Sequence, residues 1–222
     1  LYELGLAMTL VLALALVALL QGKAAEVRLP RAVCAAAAAT LALVALPLIL
    51  WATPRALAAE QELDDARRGA ANAVELTLTA QRHNPFDAEA YELHARARMG
   101  VWARDKSEGS PAEGIVLQSM ENAIALRPFS SPLHAKKAYF HREFRKYYLG
   151  LKGGLMAEGM AREHLRLALL HQQRAVDLYP THAPIRYGLA RLLDDDARPA
   201  EALDQYREAL RLSGLAAKER YP

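Results

Sequence analysis

The chain has 222 residues, of which 53% are hydrophobic and 24% are charged. Its formal net charge of +3 is small and spread along the chain, which excludes the dense basic surface that nucleic-acid binding requires. The hydrophobic residues are concentrated in the first quarter, so the average composition hides two different regions.

The first region contains two apolar runs. Residues 4–20 and residues 32–53 carry no charged side chain. A helix rises about 1.5 Å per residue, so the second run reaches roughly 33 Å, enough to cross a hydrocarbon core of about 30 Å. Either run alone is also compatible with a signal peptide or a buried core helix. Two in tandem predict two transmembrane helices, at about residues 2–20 and 32–53, within a membrane segment of residues 1–55.

The loop between these runs favours one orientation in the membrane. It carries Lys23, Arg28 and Arg31 against a single acid, Glu26. Basic loops tend to stay in the cytoplasm, so we expect the rest of the chain to lie in the periplasm of a bacterium, anchored in its inner membrane. The single cysteine, Cys34, falls in the second run and is expected to pack there as a small apolar residue. Because the chain opens almost inside the first run without methionine, we also expect a fragment of a longer protein.

The remainder, residues 56–222, has the periodicity of helices. Between Ala56 and His83 small and apolar residues recur at intervals of three and four, which predicts one amphipathic helix that stops at Asn84. No segment alternates with a period of two, so the predicted fold is all-α.

Helix endings recur along this region at Pro85, Pro128, Pro180 and Gly214, in steps of 43, 52 and 34 residues. The last step is the period of a helix-turn-helix repeat, and the two longer steps predict insertions. Residues 105–114 are polar and rich in turn formers, so they are predicted to form a loop. Near residues 147–159 we expect lengthened helices with a flexible join.

Small and large apolar residues near the end of the chain are spaced so that two helices can pack closely. The pattern resembles a tetratricopeptide repeat, although Arg186 replaces the usual large aromatic and Gly214 the closing proline. Glycine is still expected to end the helix. This packing should shield Leu210 from water. The predicted packing residues are Leu189, Ala190, Leu193, Ala202, Tyr206 and Ala209.

Basic and aromatic residues alternate over residues 136–148. Charge combined with ring stacking predicts a patch for an anionic ligand. The alternative is a long helix whose aromatic residues pack in the core while its basic residues face solvent. The patch residues are Lys136, Lys137, Arg142, Arg145 and Lys146.

No catalytic, cofactor or metal site is predicted. His134 and His141 are seven residues apart, as are His164 and His171, whereas helical zinc ligands are usually one turn apart. Residues 194–196 are three consecutive aspartates, and we interpret them as turn-forming or solvated acids.

Two hydrophobic runs followed directly by degenerate repeats resemble the C-terminal part of bacterial O-antigen ligase or polymerase membrane proteins that carry a tetratricopeptide extension. The repeat endings that carry this resemblance are Ala-Ile-Ala-Leu-Arg-Pro at 123–128 and Ala-Val-Asp-Leu-Tyr-Pro at 175–180, followed by Arg-Pro-Ala-Glu-Ala-Leu-Asp-Gln-Tyr-Arg-Glu-Ala-Leu at 198–210.

That resemblance implies glycan transfer from an undecaprenyl-diphosphate carrier, with the lipid-linked glycan bound through an upstream part that contains the catalytic residues. Residues 56–222 are expected to bind a protein partner in the repeat groove. The alternative is a non-enzymatic, membrane-anchored scaffold for an assembly or maturation complex, similar to the two-span repeat proteins of cytochrome c maturation.

Overall fold

The computed structural model describes residues 53–69, 71–104, 109–151 and 154–220, and every regular element in these ranges is a helix. The predicted membrane spans lie outside the described residues except for Thr53, as does Cys34. Within the described ranges, no helix combines the length and the apolar character that crossing a membrane needs.

The described ranges contain eight helices, which follow one another through short connections and pair as four hairpins, α1/α2, α3/α4, α5/α6 and α7/α8. The bounds are α1 at residues 53–67, α2 Ala73–His83, α3 Ala88–Arg104, α4 Gly109–Leu126, α5 Ser131–Gly150, α6 Gly154–Leu178, α7 Ala183–Asp195 and α8 Pro199–Arg220.

The central core lies where α3, α4 and α5 meet. The Trp102 ring packs edge-on against Phe144 at 5.0 Å and against Tyr147 at 5.2 Å between centroids. Val116 and Met120 of α4 fill the other side and are fully buried. Burying each such side chain stabilises the fold by roughly 1.5–3 kcal/mol, so this junction holds the two middle hairpins together.

The predicted packing residues of the last hairpin lie between its helices and α6. Ala190 and Ala202 are fully buried, Leu189, Leu193 and Ala209 are also buried, and Tyr206 is half-buried. Alanine at these positions lets α7 and α8 approach, and the leucines fill the remaining space.

Arg186 replaces the expected aromatic by making polar contacts across the hairpin. Its Nε donates to the Pro180 carbonyl at 2.6 Å and its Nη1 donates to Gln205 Oε1 at 3.0 Å. The expectation that Leu210 is shielded is wrong, since 75% of its surface is exposed on α8. It follows the buried Ala209 by one position and therefore points away from the interface.

The single helix predicted between Ala56 and His83 is interrupted. The chain turns at residues 68–69 and 71–72, and α1 and α2 form a complete hairpin. Gly69 takes a φ of 80°, a conformation that glycine adopts without steric cost. The apolar spacing continues in phase across this turn, which is why periodicity alone predicted one helix.

Two other predicted boundaries also differ. The loop predicted at residues 105–114 is shorter than expected, because α4 begins at Gly109. Gly214 lies inside α8, without the left-handed φ of a helix-ending glycine. The lengthened helices predicted around residues 147–159 are confirmed, since α5 has 20 residues and α6 has 25.

Candidate functional site

Salt bridges connect the first helices of successive hairpins along one face. Lys136 of α5 pairs with Glu92 of α3. On the other side of α5, Arg142 Nε donates to Asp195 Oδ2 of α7 at 3.3 Å, and Arg145 Nη2 donates to the Asp195 carbonyl at 3.1 Å. These pairs hold α3, α5 and α7 side by side.

A depression of about 230 Å³ lies between α5 and α7 on this face, and we call it the α5/α7 groove. Its floor is mostly small or apolar, and its two charged residues are both arginines. The lining residues are Ala135, Ala138, Tyr139, Arg142, Gln172, Pro184, Ile185, Tyr187, Gly188, Arg191 and Leu192.

Gln172 of α6 supports this groove from beneath. The side chain is buried, and its Nε2 donates to the Ile185 carbonyl at 2.6 Å. A Cβ atom at position 188 would lie 2.7 Å from the same Nε2, so only Gly188 leaves room for this amide. The first turn of α7 is thereby fixed against α6.

Two tyrosines stand on the rim of the groove. Tyr139 of α5 is 52% exposed and Tyr187 of α7 is 51% exposed. The Arg191 guanidinium lies over the Tyr187 ring, 5.9 Å from its centroid. On its other side Tyr187 contacts the ring of Tyr206, whose hydroxyl donates to Asp194 at 2.7 Å. The rim therefore presents aromatic surface beside a cation.

A second, wider groove of about 850 Å³ separates α6 from α8. Leu165, Leu169 and Leu189 form part of its floor, while Arg162 and Glu201 stand on opposite sides. Glu201 is already bonded to Arg198 at 2.6 Å. We call this surface the α6/α8 groove.

The five basic residues of the predicted anionic patch are all paired with acids. Each faces a carboxylate: Lys136 faces Glu92, Lys137 faces Glu121, Arg142 and Arg145 face Asp195, and Lys146 faces Glu143. An anionic ligand would have to displace these acids, so the patch stays a prediction. The alternative, in which the aromatic residues pack in the core, holds for Phe140 and Phe144, which are buried, and not for Tyr139, which is exposed.

The four histidines spaced seven apart come together between α5 and α6. His134 Nδ1 lies 3.2 Å from His171 Nδ1, and His141 Nδ1 lies 3.0 Å from His164 Nδ1. We call these two pairs the histidine seam. Among the described residues no group of three or more ligating side chains is arranged to hold a metal ion.

Burial keeps most of the seam neutral. It lowers the pKa of His141 to about 3 and that of His171 to about 4, with further lowering from neighbouring histidines and Lys137. Burial opposes ionisation of Glu113, but His164, whose Nε2 lies 3.2 Å from Glu113 Oε1, and the hydroxyl of Tyr148, which donates to Oε2 at 2.8 Å, outweigh it and lower the Glu113 pKa. One end of the seam thus contacts a half-buried carboxylate.

The aspartates at 194–196 end α7 and make specific contacts. Asp194 accepts from Tyr206, and Asp195 accepts from Arg142 and Arg145. Asp196 follows the last helical residue. The turn interpretation agrees with this placement.

Sequence reasoning did not identify Tyr139, Tyr187 and Arg191 as groove residues. A signal was present, because Tyr187 and Arg191 are four residues apart and therefore share a helix face. Which face is left open depends on how α5 and α7 pack, and the sequence pattern does not specify that.

The fold is similar to solved structures of tetratricopeptide-repeat proteins. A crystal structure of MamA protein has 15% identity and a TM-score of 0.54, with 77% of this chain and 80% of that chain covered. Another crystal structure of MamA has 16% identity and a TM-score of 0.54, covering 87% and 99%. TTC0263, a thermophilic TPR protein in Thermus thermophilus, has 23% identity and a TM-score of 0.50, covering 67% and 69%.

Neither a comparison with models of known protein families nor one with curated proteins gives a match. At these identities the structural likeness concerns the fold alone. The helical hairpins of this chain are therefore tetratricopeptide-like, as the alanine and leucine spacing of the last hairpin predicted.

Proposed function

We propose that the stacked hairpins are a scaffold that binds a segment of a protein partner, with the α5/α7 groove as the contact surface. The observation that carries this proposal is the pair of half-exposed tyrosines, Tyr139 and Tyr187, on the rim of a groove in which the Arg191 guanidinium lies over the Tyr187 ring. Tyrosine and arginine are enriched at the residues that dominate binding energy in protein interfaces. Stacked helical repeats present such faces to partners.

Site-specific photo-crosslinking tests this function. A photo-reactive phenylalanine analogue placed at Tyr187 of the full chain, in the host cell, is expected to give a discrete protein adduct. The matched control is Leu155 on α6, which is 83% exposed and lies outside the groove. Identical adducts from both positions, or none from Tyr187, would contradict the proposal.

We also propose that residues 1–55 anchor this scaffold in a bacterial inner membrane with the hairpins in the periplasm. The uncharged runs and the basic loop between them support this. Leu155→Cys in a Cys34→Ala background should react with a membrane-impermeant maleimide added outside the inner membrane. Labelling only after lysis would contradict the orientation.

The resemblance to O-antigen ligase or polymerase proteins supports a further proposal for the complete protein, namely glycan transfer from a lipid carrier. In that case the hairpins would recruit a protein while a separate catalytic part handles the glycan. A non-enzymatic anchored scaffold is the alternative. Loss of lipid-linked glycan transfer on deletion of the gene would favour the ligase type, and unchanged transfer would favour the scaffold.

A further inference from the structure

The charged groups of the α5/α7 groove are not balanced. Its two charged lining residues are Arg142 and Arg191, and no carboxylate lines it. Arg142 already donates through Nε to Asp195. Within the described ranges Arg191 has no carboxylate at ion-pair distance, and its recorded contact is the Tyr187 ring. Arg191 is therefore the cation that a partner can engage without displacing an acid.

The size of the groove limits what that partner can be. About 230 Å³ is below the roughly 300–1,000 Å³ typical of small-molecule pockets. A depression of this size holds one or two side chains of a chain that lies across it. Because α5 and α7 run along its sides and Tyr139 and Tyr187 rise at the rim, the surface suits a peptide segment more than a compact ligand.

The geometry of Arg191 favours a carboxylate. A guanidinium presents parallel N–H donors that match two carboxylate oxygens, and such charge-assisted hydrogen bonds are roughly twice as strong as neutral ones. The Tyr187 ring, 5.9 Å from the guanidinium carbon to the ring centroid, adds a weak cation–π contact on one side of Arg191.

We propose that the α5/α7 groove recognises an acidic residue, Asp or Glu, in an extended segment of the partner, with the carboxylate on Arg191 and the flanking residues on the rings of Tyr139 and Tyr187. This inference rests on the proposed scaffold function and adds the chemistry of the partner. The apolar part of the floor, including Ala135 and Ile185, takes a small or aliphatic neighbour of the acid.

Peptide selection tests the proposal on the full chain. A displayed library of random twelve-residue peptides is selected on the wild-type chain and on Arg191→Gln. Wild type is expected to enrich peptides with Asp or Glu at one fixed position, and Arg191→Gln is expected to lose that preference. Arg162→Gln, an exposed arginine in the α6/α8 groove, serves as the control and should select the same peptides as wild type.

The enriched peptide is then titrated by fluorescence anisotropy. Replacing its acid by the matching amide should weaken binding about 10-fold or more, as expected for a charge-assisted contact. The same replacement should have little effect on Arg191→Gln, and circular dichroism confirms that this variant is folded. Arg191→Lys keeps the positive charge but lacks the parallel N–H donors of a guanidinium. It should therefore recover part of the affinity that Arg191→Gln loses.

The other possible results of the peptide selection each lead to a different conclusion. Enriched peptides without a fixed acidic position would overturn the acid-recognition inference and leave the scaffold function standing. Peptides that depend on Arg162 and not on Arg191 would assign recognition to the α6/α8 groove and overturn the inference. If no peptide is enriched above an uncoated surface, both the inference and the scaffold function lose their support.

Discussion

Gly188 shows how the absence of one methyl group shapes the scaffold. The amide of Gln172 occupies the space where a side chain at position 188 would begin, and it is held there by its bond to the Ile185 carbonyl. Because Gln172 is buried, moving it would leave its amide N–H without this partner. Glycine costs helix stability, yet here it permits a buried hydrogen bond between α6 and α7.

We therefore expect Gly188→Ala to destabilise the protein. The clash should cost about 1–3 kcal/mol, only partly offset by the roughly 1 kcal/mol that alanine gains in a helix. Urea unfolding followed by circular dichroism measures the change. Gly159→Ala is the control, because a Cβ atom at position 159 meets no atom within 4 Å. Gly159→Ala should be neutral or slightly stabilising. Equal stability of Gly188→Ala and Gly159→Ala would contradict the expected clash with Gln172.

The histidine seam supplies polar side-chain contacts between the two long helices α5 and α6. His134 Nε2 lies 3.3 Å from the Pro128 carbonyl, so this nitrogen carries the proton and donates. His134 Nδ1 is then the acceptor, and His171 Nδ1–H donates to it. If both Nδ1 atoms carried a proton, the two N–H groups would point at each other and the hydrogen bond between His134 and His171 would be lost. This pair therefore requires neutral histidines.

Another buried histidine, His94, joins α3 to α4 under the same constraint. Ser119 uses its proton on the Ile115 carbonyl, so His94 Nδ1–H donates to Ser119 Oγ, 3.2 Å away. His94 Nε2 is buried without a hydrogen-bond partner. Protonation there would bury an unpaired N–H, and burial lowers the His94 pKa to about 4.

These histidines predict that stability falls as the pH is lowered. Their pKa values in the folded chain lie below the unfolded value of about 6.5, so between about pH 6.5 and 4 the unfolded chain binds more protons. His94 and His141 together should remove about 2 kcal/mol between pH 6 and pH 5. Urea unfolding at both pH values tests this, and an unfolding free energy that does not change would contradict it. In His141→Gln the loss should be smaller by about 1 kcal/mol, because His94 and His171 still contribute to it.

The elements were predictable where the sequence itself carries the physical cause. Pro128 and Pro180 each follow directly after the end of a helix, as predicted. The alanine spacing at 190, 202 and 209 requires two helices that pack closely. The turn at Gly69 escaped prediction because the apolar spacing continues across it. The two histidines on α5 are seven residues apart, as are the two on α6, so antiparallel packing can bring each into contact with one on the other helix. That match becomes visible only once α5 and α6 are known to pair.

At the scale of the whole molecule, the buried residues form separate clusters instead of one core. The central core belongs to α3, α4 and α5. A second cluster around Leu189 belongs to α6, α7 and α8, with Ala135 of α5 packed against it. Of the helices in these two clusters, α5 contacts both. The stability of each hairpin therefore depends mainly on the hairpins next to it. Such stacks have stabilities that are approximately sums of local terms.

Hydrogen exchange can show whether the clusters open independently. Leu189→Ala removes a buried side chain and should cost about 2–5 kcal/mol. Because this loss is local, amides of α7 and α8 should exchange faster while those of α3 and α4 change little. Met120→Ala in the central core is the reciprocal variant and should loosen α3 and α4 first. If either variant accelerates exchange equally in all four hairpins, the stack unfolds as one cooperative unit and the local description is wrong.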